Sequence, residues 1–413
     1  MPKSVSALTV CQILLVCVCA LLSPTAAQAK TWPARFVSIN DGDTIDARVN
    51  GRVFTIRLSG IQAMEQYTYS SNPKRRTGEC NAVEATARLE QLIRESHGRL
   101  RLSARDPRSH AGHRLRRNVA VHIGGRWRDT GQILIREGHA LWMSGKEEDR
   151  WNRAYNEAEQ RARLDGRGLW DPTHCGVGPY QDLPLRLWVN WDAPGVDSQD
   201  INGEYVKIQN RGTRAMDLGG WWVRDSLLRR FTFPRGTQVA PGRTVTLHVG
   251  HGTNSADTFH WGLNETAFEN AHGDGLDRGD GGYLFDPQGD LRAAMVYPCL
   301  VACSDPAQGA LQVIAHPRRP ESVAVRNVSD HPVDLYGYEL AIHGSAYDFG
   351  DWPPLAPGQT VQVDVNGDPA DDTALRRSWG LNRLMLPDAG GWVRVLTFTD
   401  ITLACDAWGL GSC

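Results

Sequence analysis

Along residues 30–182 the spacing of hydrophobic positions changes several times. Residues 35–39 (RFVSI), 45–49 (IDARV) and 53–58 (VFTIRL) alternate or are rich in β-branched side chains, which predicts short strands. Asn50-Gly51 between the last two is a hairpin turn. Residues 82–96 then switch to helical spacing, with Ala85, Leu89, Leu92 and Ile93 on one face. Strands follow at 99–105 and 117–123, and a short helix near 130–137 stops at Gly138. A last helix at 148–165 places Trp151, Tyr155, Ala158 and Ala162 on one stripe and stops at Gly166. Short strands interleaved with three helices predict a small β-barrel with helices on its outside.

The remainder of the chain repeats itself. Residues 204–223 (EYVKIQNRGTRAMDLGGWWV) resemble 321–340 (ESVAVRNVSDHPVDLYGYEL), and Trp261-Gly262-Leu263-Asn264 recurs as Trp379-Gly380-Leu381-Asn382. The matched pieces keep their order, and Pro-Gly turns separate short strands, which predicts two β-sandwiches. The expected layout is a signal peptide at 1–29, a barrel domain at 30–182 and sandwiches at 183–302 and 303–413. The fold class is multidomain and mainly β.

The signal assignment rests on Lys3, the apolar run 7–22 and the A-x-A site Ala27-Gln28-Ala29. The run is short for a bilayer span, and no other segment is as apolar. Cleavage after Ala29 would give a secreted protein without a transmembrane segment. It would leave Cys80, Cys175, Cys299, Cys303, Cys405 and Cys413, an even number, as disulfide candidates. Proximity favours Cys299–Cys303 and Cys405–Cys413, which leaves Cys80–Cys175. The formal net charge of −2 over 413 residues argues against a nucleic-acid partner. That average hides a basic, arginine-rich 30–182 and an acidic 183–413, so the partner class reopens for the barrel alone.

Chemistry concentrates in that basic segment. Asp41-Gly42-Asp43-Thr44 stands between two strands, and two carboxylates on a tight turn suit a hard cation. Arg57 is out of phase with Phe54, Ile56 and Leu58, so it is expected to face outward beside the turn. Glu65 follows. A carboxylate, a cation site and a guanidinium are the parts needed for phosphodiester hydrolysis. Lys74 and Arg75, with Arg116 and Arg117, are candidate backbone contacts for nucleic acid. Tyr67 and Tyr69 could stack a base, and His110 with His113 has metal-like spacing without a third ligand.

These residues carry a resemblance to the thermonuclease, or staphylococcal-nuclease-like, family. Asp41-Gly42-Asp43-Thr44, Thr55-Ile56-Arg57-Leu58-Ser59-Gly60-Ile61 and Glu65 match it. So do Leu134-Ile135-Arg136-Glu137-Gly138-His139-Ala140 and Gly168-Leu169-Trp170. The resemblance spans about residues 32–172 and implies an OB-fold barrel with helices. It also implies Ca²⁺-dependent cleavage of DNA and RNA to products with 3′-phosphates. Carried over residue by residue, it makes Asp43 a calcium ligand, Asp41 a nearby carboxylate, Arg57 a phosphate clamp and Glu65 the general base. Ala63 would offer its carbonyl oxygen. The family's second aspartate ligand falls on Gln62, whose amide oxygen can coordinate calcium with less charge.

The second arginine is open. Val119, Val121 and Ile123 share a face and should point to the core, which favours Arg114 or Arg116 over Arg117. Family spacing to the first core residue favours Arg114. Residues 190–299 resemble lamin-tail domains through Gly203–Asn210, Asp217-Leu218-Gly219-Gly220-Trp221, Phe231–Pro234 and Gly279–Tyr283, and 311–405 reads as a diverged copy. That family is an immunoglobulin-like sandwich and implies a binding or spacing module with a cell-surface or extracellular ligand. The run 273–282, with Asp274, Asp277 and Asp280, reads as a hairpin loop before it reads as a calcium site. The expected function is a secreted, calcium-dependent nuclease with little sequence preference. The alternatives are a non-catalytic nucleic-acid- or protein-binding barrel and a surface protein whose sandwiches carry the function.

Overall fold

The computed structural model describes residues 29–66, 79–145, 149–175, 184–191, 196–271, 278–342, 345–350, 352–397 and 401–413. The expected signal peptide, Lys74, Arg75, Tyr67, Tyr69, Asp274 and Asp277 lie outside the described residues. The first part holds strands β1 (Lys30–Ile39), β2 (Thr44–Val49), β3 (Arg52–Leu58), β4 (Ile61–Ala63) and β5 (Arg99–Ala104). Then come β6 (His110–Ala111), β7 (Arg114–Ile123), β8 (Arg126–Asp129) and β9 (Ala140–Trp142). Three helices join them: α1 (Ala82–Glu95), α2 (Thr130–Arg136) and α3 (Asn152–Leu164).

Strands β3, β2, β1, β5 and β7 hydrogen-bond in that order, and a parallel pairing of β3 with β7 closes the ring. This is the OB-type barrel with three helices. Its hairpin turns at Asn50-Gly51, both residues at positive φ, as the strand twist requires. Ile45, Ala47, Ile56, Leu58, Leu100, Leu102, Val119 and Val121 fill the interior, and Ala85, Leu89, Leu92 and Ile93 of α1 close one end. Strand β7 begins three residues earlier than its apolar pattern indicated, because Arg114–Arg117 pair with β3 and β6 while Leu115 is their one apolar side chain.

Each copy of the repeat forms two four-stranded sheets. In the first, strands 185–190, 205–210, 244–248 and 258–260 make one sheet; 230–232, 222–224, 280–285 and 291–297 make the other. The second copy reproduces this order with 311–316, 322–327, 360–364 and 376–378, and with 345–348, 339–342, 390–396 and 402–409. Each copy also keeps one parallel pair, 244–248 with 258–260 and 360–364 with 376–378. The equivalence extends to buried polar groups. Glu204 accepts hydrogen bonds from the backbone of Ala267 and Phe268, and Glu321 from Met385 and Leu386. The Asn210 and Asn327 amides each donate to two backbone carbonyls that tie down the neighbouring loop.

The three sulfur pairs are Cys80–Cys175, Cys299–Cys303 and Cys405–Cys413. Among the described residues no helix is long and apolar enough to cross a membrane. The barrel's apolar cluster does not end with the barrel. Trp222, Tyr283, Phe285 and Val296 of the first sandwich are buried in it beside Tyr155, Ala158 and Leu169. The Tyr283 hydroxyl donates to Glu159 on α3 at 2.8 Å, and the Gln160 amide donates to the Pro298 carbonyl and accepts from Leu300 N. The barrel and the first sandwich therefore share one continuous core.

Candidate active site

The Asp41-Gly42-Asp43-Thr44 turn is a tight loop between β1 and β2. Asn40 N and Asp41 N both donate to the Thr44 carbonyl, and Asp43 N donates to Asp41 Oδ1. Gly42 is needed for packing: a Cβ there would lie 2.8 Å from Ala63 Cβ and 2.9 Å from Ala85 Cβ. The turn is thus pressed against β4 and α1, which brings Asp43 to the residues that follow β3.

Asp43 is the hub. Its Oδ2 accepts from Ala63 N at 2.9 Å and pairs with Arg57 Nη2 at 3.1 Å, and its Oδ1 accepts from the Thr44 hydroxyl at 3.0 Å. Burial raises the Asp43 pKa above the usual carboxylate range despite the opposing pull of Arg57. Arg57 Nη2 also donates to Gln62 Oε1 at 2.5 Å, and its Nη1 donates to the Leu58 carbonyl. The Gln62 amide nitrogen donates to the Ala63 carbonyl and to Glu65 Oε1, both at 3.1 Å. One hydrogen-bonded chain therefore links Asp43, Arg57, Gln62 and Glu65.

Strand phase placed Arg57 outward. Its side chain does leave the barrel interior beside the turn, but it is 6% exposed rather than solvated. The segment after β3 folds back over it through Gln62 and converts an outward position into a buried one. Glu65 is half-buried, and its pKa is pushed up from 4.5 to about 7. Burial is the main cause; the charges of Asp43, Glu79 and Asp41 add to it, and Arg224 opposes it. A carboxylate in this range is a competent proton acceptor near neutral pH.

Strand β7 separates its arginines by alternation. Arg114 Nη1 reaches the Thr44 hydroxyl at 3.4 Å, so its guanidinium stands at the turn. Arg116 lies opposite Arg57 in the β3–β7 register. Arg117 points the other way: it is buried, donates to the carbonyls of Ser109, Pro107 and Arg116, and stacks over Trp32. The Nη groups of Arg117, a candidate nucleic-acid contact, are thus turned to backbone carbonyls.

The donor chemistry suits a cation. Asp43 Oδ2 and Gln62 Oε1 converge on one point, and a guanidinium nitrogen fills that point as a positive stand-in. The Ala63 carbonyl accepts from the Gln62 amide nitrogen, and Asp41 braces the turn. A calcium ion would be held by Asp43, Gln62 and the Ala63 carbonyl, with Asp41 nearby, once Arg57 moves aside. Among the described residues the one cluster of three metal-binding side chains is Cys80, His174 and Cys175, and its sulfurs form a disulfide. His110 Nδ1 instead meets the Arg108 carbonyl. Asp280 is buried in the first sandwich and bonds the Ser226 hydroxyl.

Two site residues escaped sequence reasoning. Glu79 accepts from Glu65 N at 2.9 Å through its side chain and donates its own N–H to the Glu65 carbonyl. Arg224, from the first sandwich, pairs with Glu79 at 3.3 Å. No local spacing signals either one; the Cys80 pairing to Cys175 was the nearest hint that residue 79 is held in place.

Comparison with protein families places this geometry in context. A model described as staphylococcal nuclease homologue matches residues 55–172, and one described as Lamin Tail Domain matches residues 189–299. No curated protein matches the chain. The second sandwich lies beyond both matches, and its strand order ties it to the first. The chain thus carries a staphylococcal-nuclease-homologue domain followed by a lamin tail domain.

Proposed function

We propose that the protein is an exported nuclease that hydrolyses phosphodiester bonds of DNA or RNA with little sequence preference. The observation that carries this reading is the chain Asp43–Arg57–Gln62–Glu65, which joins a cation-attracting carboxylate, a guanidinium and a neutral-range base within direct hydrogen-bond contact. Glu65 takes a proton from water as its oxygen attacks phosphorus. The phosphorus–oxygen bond to the 5′-oxygen breaks and that oxygen takes a proton from solvent water, leaving a 3′-phosphate and a 5′-hydroxyl. Arg57 and Arg114 hold the phosphate oxygens as charge develops on them. Bound calcium would supply further positive charge to that phosphate.

Arg57 has two partners to choose between in this scheme. It neutralises Asp43 while no phosphate is bound, and an arriving phosphate gives it a more highly charged acceptor. The shallow readout expected of a cluster built from phosphate-facing groups is the reason for low sequence preference. Export is supported by three disulfides, which persist in oxidising compartments. The domain division at 182/183 and 302/303, and an extracellular ligand for the sandwiches, belong to the same proposal.

The test is cleavage of plasmid DNA and of RNA by the full mature chain, with calcium and with chelator, beside Glu65→Gln and Arg57→Ala. Loss of a positioned general base slows such chemistry by about 10²–10⁴-fold. Equal cleavage by wild type and Glu65→Gln would refute the base assignment. Retained oligonucleotide binding without cleavage by wild type under any divalent ion would leave a binding module instead.

A further inference from the structure

The segment that carries Glu65 is gripped from the neighbouring domain. Glu79 holds the main chain of Glu65 on both sides: its carboxylate accepts from Glu65 N at 2.9 Å, and its own N–H donates to the Glu65 carbonyl at 2.8 Å. Glu79 is 5% exposed, and a carboxylate so placed beside a second carboxylate needs a countercharge. Among the described residues no cation of the barrel pairs with it. Arg224 does, from the strand Trp222–Arg224 of the lamin tail sandwich, with Nη1 3.3 and 3.5 Å from the two Glu79 oxygens. Arg224 is 1% exposed and lies over the Phe285 ring.

The grip continues one residue on. Cys80 N donates to the Gly289 carbonyl of the sandwich, and its sulfur is joined to Cys175. Asn81 Nδ2 donates to the Gly138 carbonyl, which sets the start of α1. Residues 79–81 are therefore fixed from three directions, and two of the fixing groups, Arg224 and Gly289, belong to the sandwich.

We propose that the lamin tail domain is a working part of the hydrolytic site, with Arg224 acting through Glu79 as a positioning residue for Glu65. This rests on the hydrolytic reading of Glu65. The sandwich is then more than a tether for the barrel: without its arginine, Glu79 carries an uncompensated charge, releases the Glu65 backbone, and the base loses its aim at the attacking water. Arg224 touches no substrate in this scheme, so its loss lowers turnover and leaves substrate binding alone.

The experiment uses the full mature chain and a short fluorescent oligonucleotide, comparing wild type with Arg224→Met, Arg224→Lys, Glu79→Gln and the double variant Glu79→Gln/Arg224→Met. Rates are expressed per folded molecule, counted by near-ultraviolet circular dichroism. A misplacement on the ångström scale costs up to about 10²-fold, so kcat of Arg224→Met should fall by tenfold or more with KM unchanged. Arg224→Lys should recover part of that loss, and the double variant should be no slower than the slower single one. Wild-type kcat in Arg224→Met, additive losses in the double variant, or a raised KM at unchanged kcat would each overturn the proposal. If Arg224→Met does not fold, Arg224→Lys and Glu79→Gln decide by the same kcat and KM criteria. Wild type that cleaves nothing would overturn the hydrolytic reading itself, which separates that failure from this one.

Discussion

Glu159 offers a quantitative handle on the joint between barrel and sandwich. It is fully buried on α3, where Oε2 accepts from Trp142 N at 2.7 Å and Oε1 accepts from the Tyr283 hydroxyl at 2.8 Å. Burial pushes its pKa from 4.5 to about 7, against the opposing hydrogen bonds and the charges of Arg163 and Arg224. Between those two values the native protein holds a proton that the unfolded chain has released. Stability therefore falls as pH rises from 4.5 to about 7, and the loss levels off above that. At about 1.4 kcal/mol per pH unit, the total over this window is about 3 kcal/mol. Glu159→Gln keeps an acceptor for Trp142 N and an amide facing the Tyr283 oxygen, but it carries no proton to lose.

The assay is urea unfolding of the disulfide-intact protein at several pH values from 5 to 8.5, followed by tryptophan fluorescence. Glu204 and Asp280, both pushed up by burial to about 8, slope the same way in both proteins and cancel in the difference. Wild-type stability minus variant stability should decline by about 2.5 kcal/mol from pH 5 to pH 8, so the variant gains on wild type as pH rises. A flat difference, or a variant penalised more at pH 8 than at pH 5, would refute the account of Glu159 as a neutral acid at the domain joint.

Further outcomes follow from the same geometry. Gln62→Asp adds a carboxylate beside Asp43, and calcium titration of the free protein should show affinity raised by about tenfold or more; no gain would remove residue 62 from the donor set. Arg114→Ala should slow cleavage by about 10²-fold with little change in melting temperature. Arg117→Ala should instead cost about 2–3 kcal/mol of stability, since three carbonyls lose a charged donor, and the reverse pattern would exchange the two arginines' roles. Trp222→Ala should cost about 3–5 kcal/mol and loosen barrel and sandwich together, which limited proteolysis of both segments would register. For the same reason residues 30–182 alone should be less stable than the same segment within the full chain.

Much of the architecture is written in local patterns. The alternation in β2 and β3, the Asn50-Gly51 turn and the stripe on α1 each specify an element through contacts only a few residues apart, and the structure places them as read. The doubled motif around Trp261 and Trp379 marks the second sandwich in the sequence, because like sequence builds like strand order. The cluster at Asp43, Arg57, Gln62 and Glu65 was legible because three consecutive elements carry it. Strand phase placed Arg57 off the barrel interior, yet it could not see the segment after β3 closing over it.

By itself, then, the sequence determined the elements, their repeat and the candidate chemistry on neighbouring strands. Those depend on periodicity, turn residues and short spacing. Only the tertiary structure decided which arginine meets the turn, which one is spent on backbone, and that the barrel's core is completed from outside. Glu79 and Arg224 stand 145 positions apart and belong to different domains, and beyond Cys80 next to Glu79 no neighbour in sequence marks either one. A buried charge is chosen for its partner across space. That partner is set by the packing of two domains, which no period along the chain records.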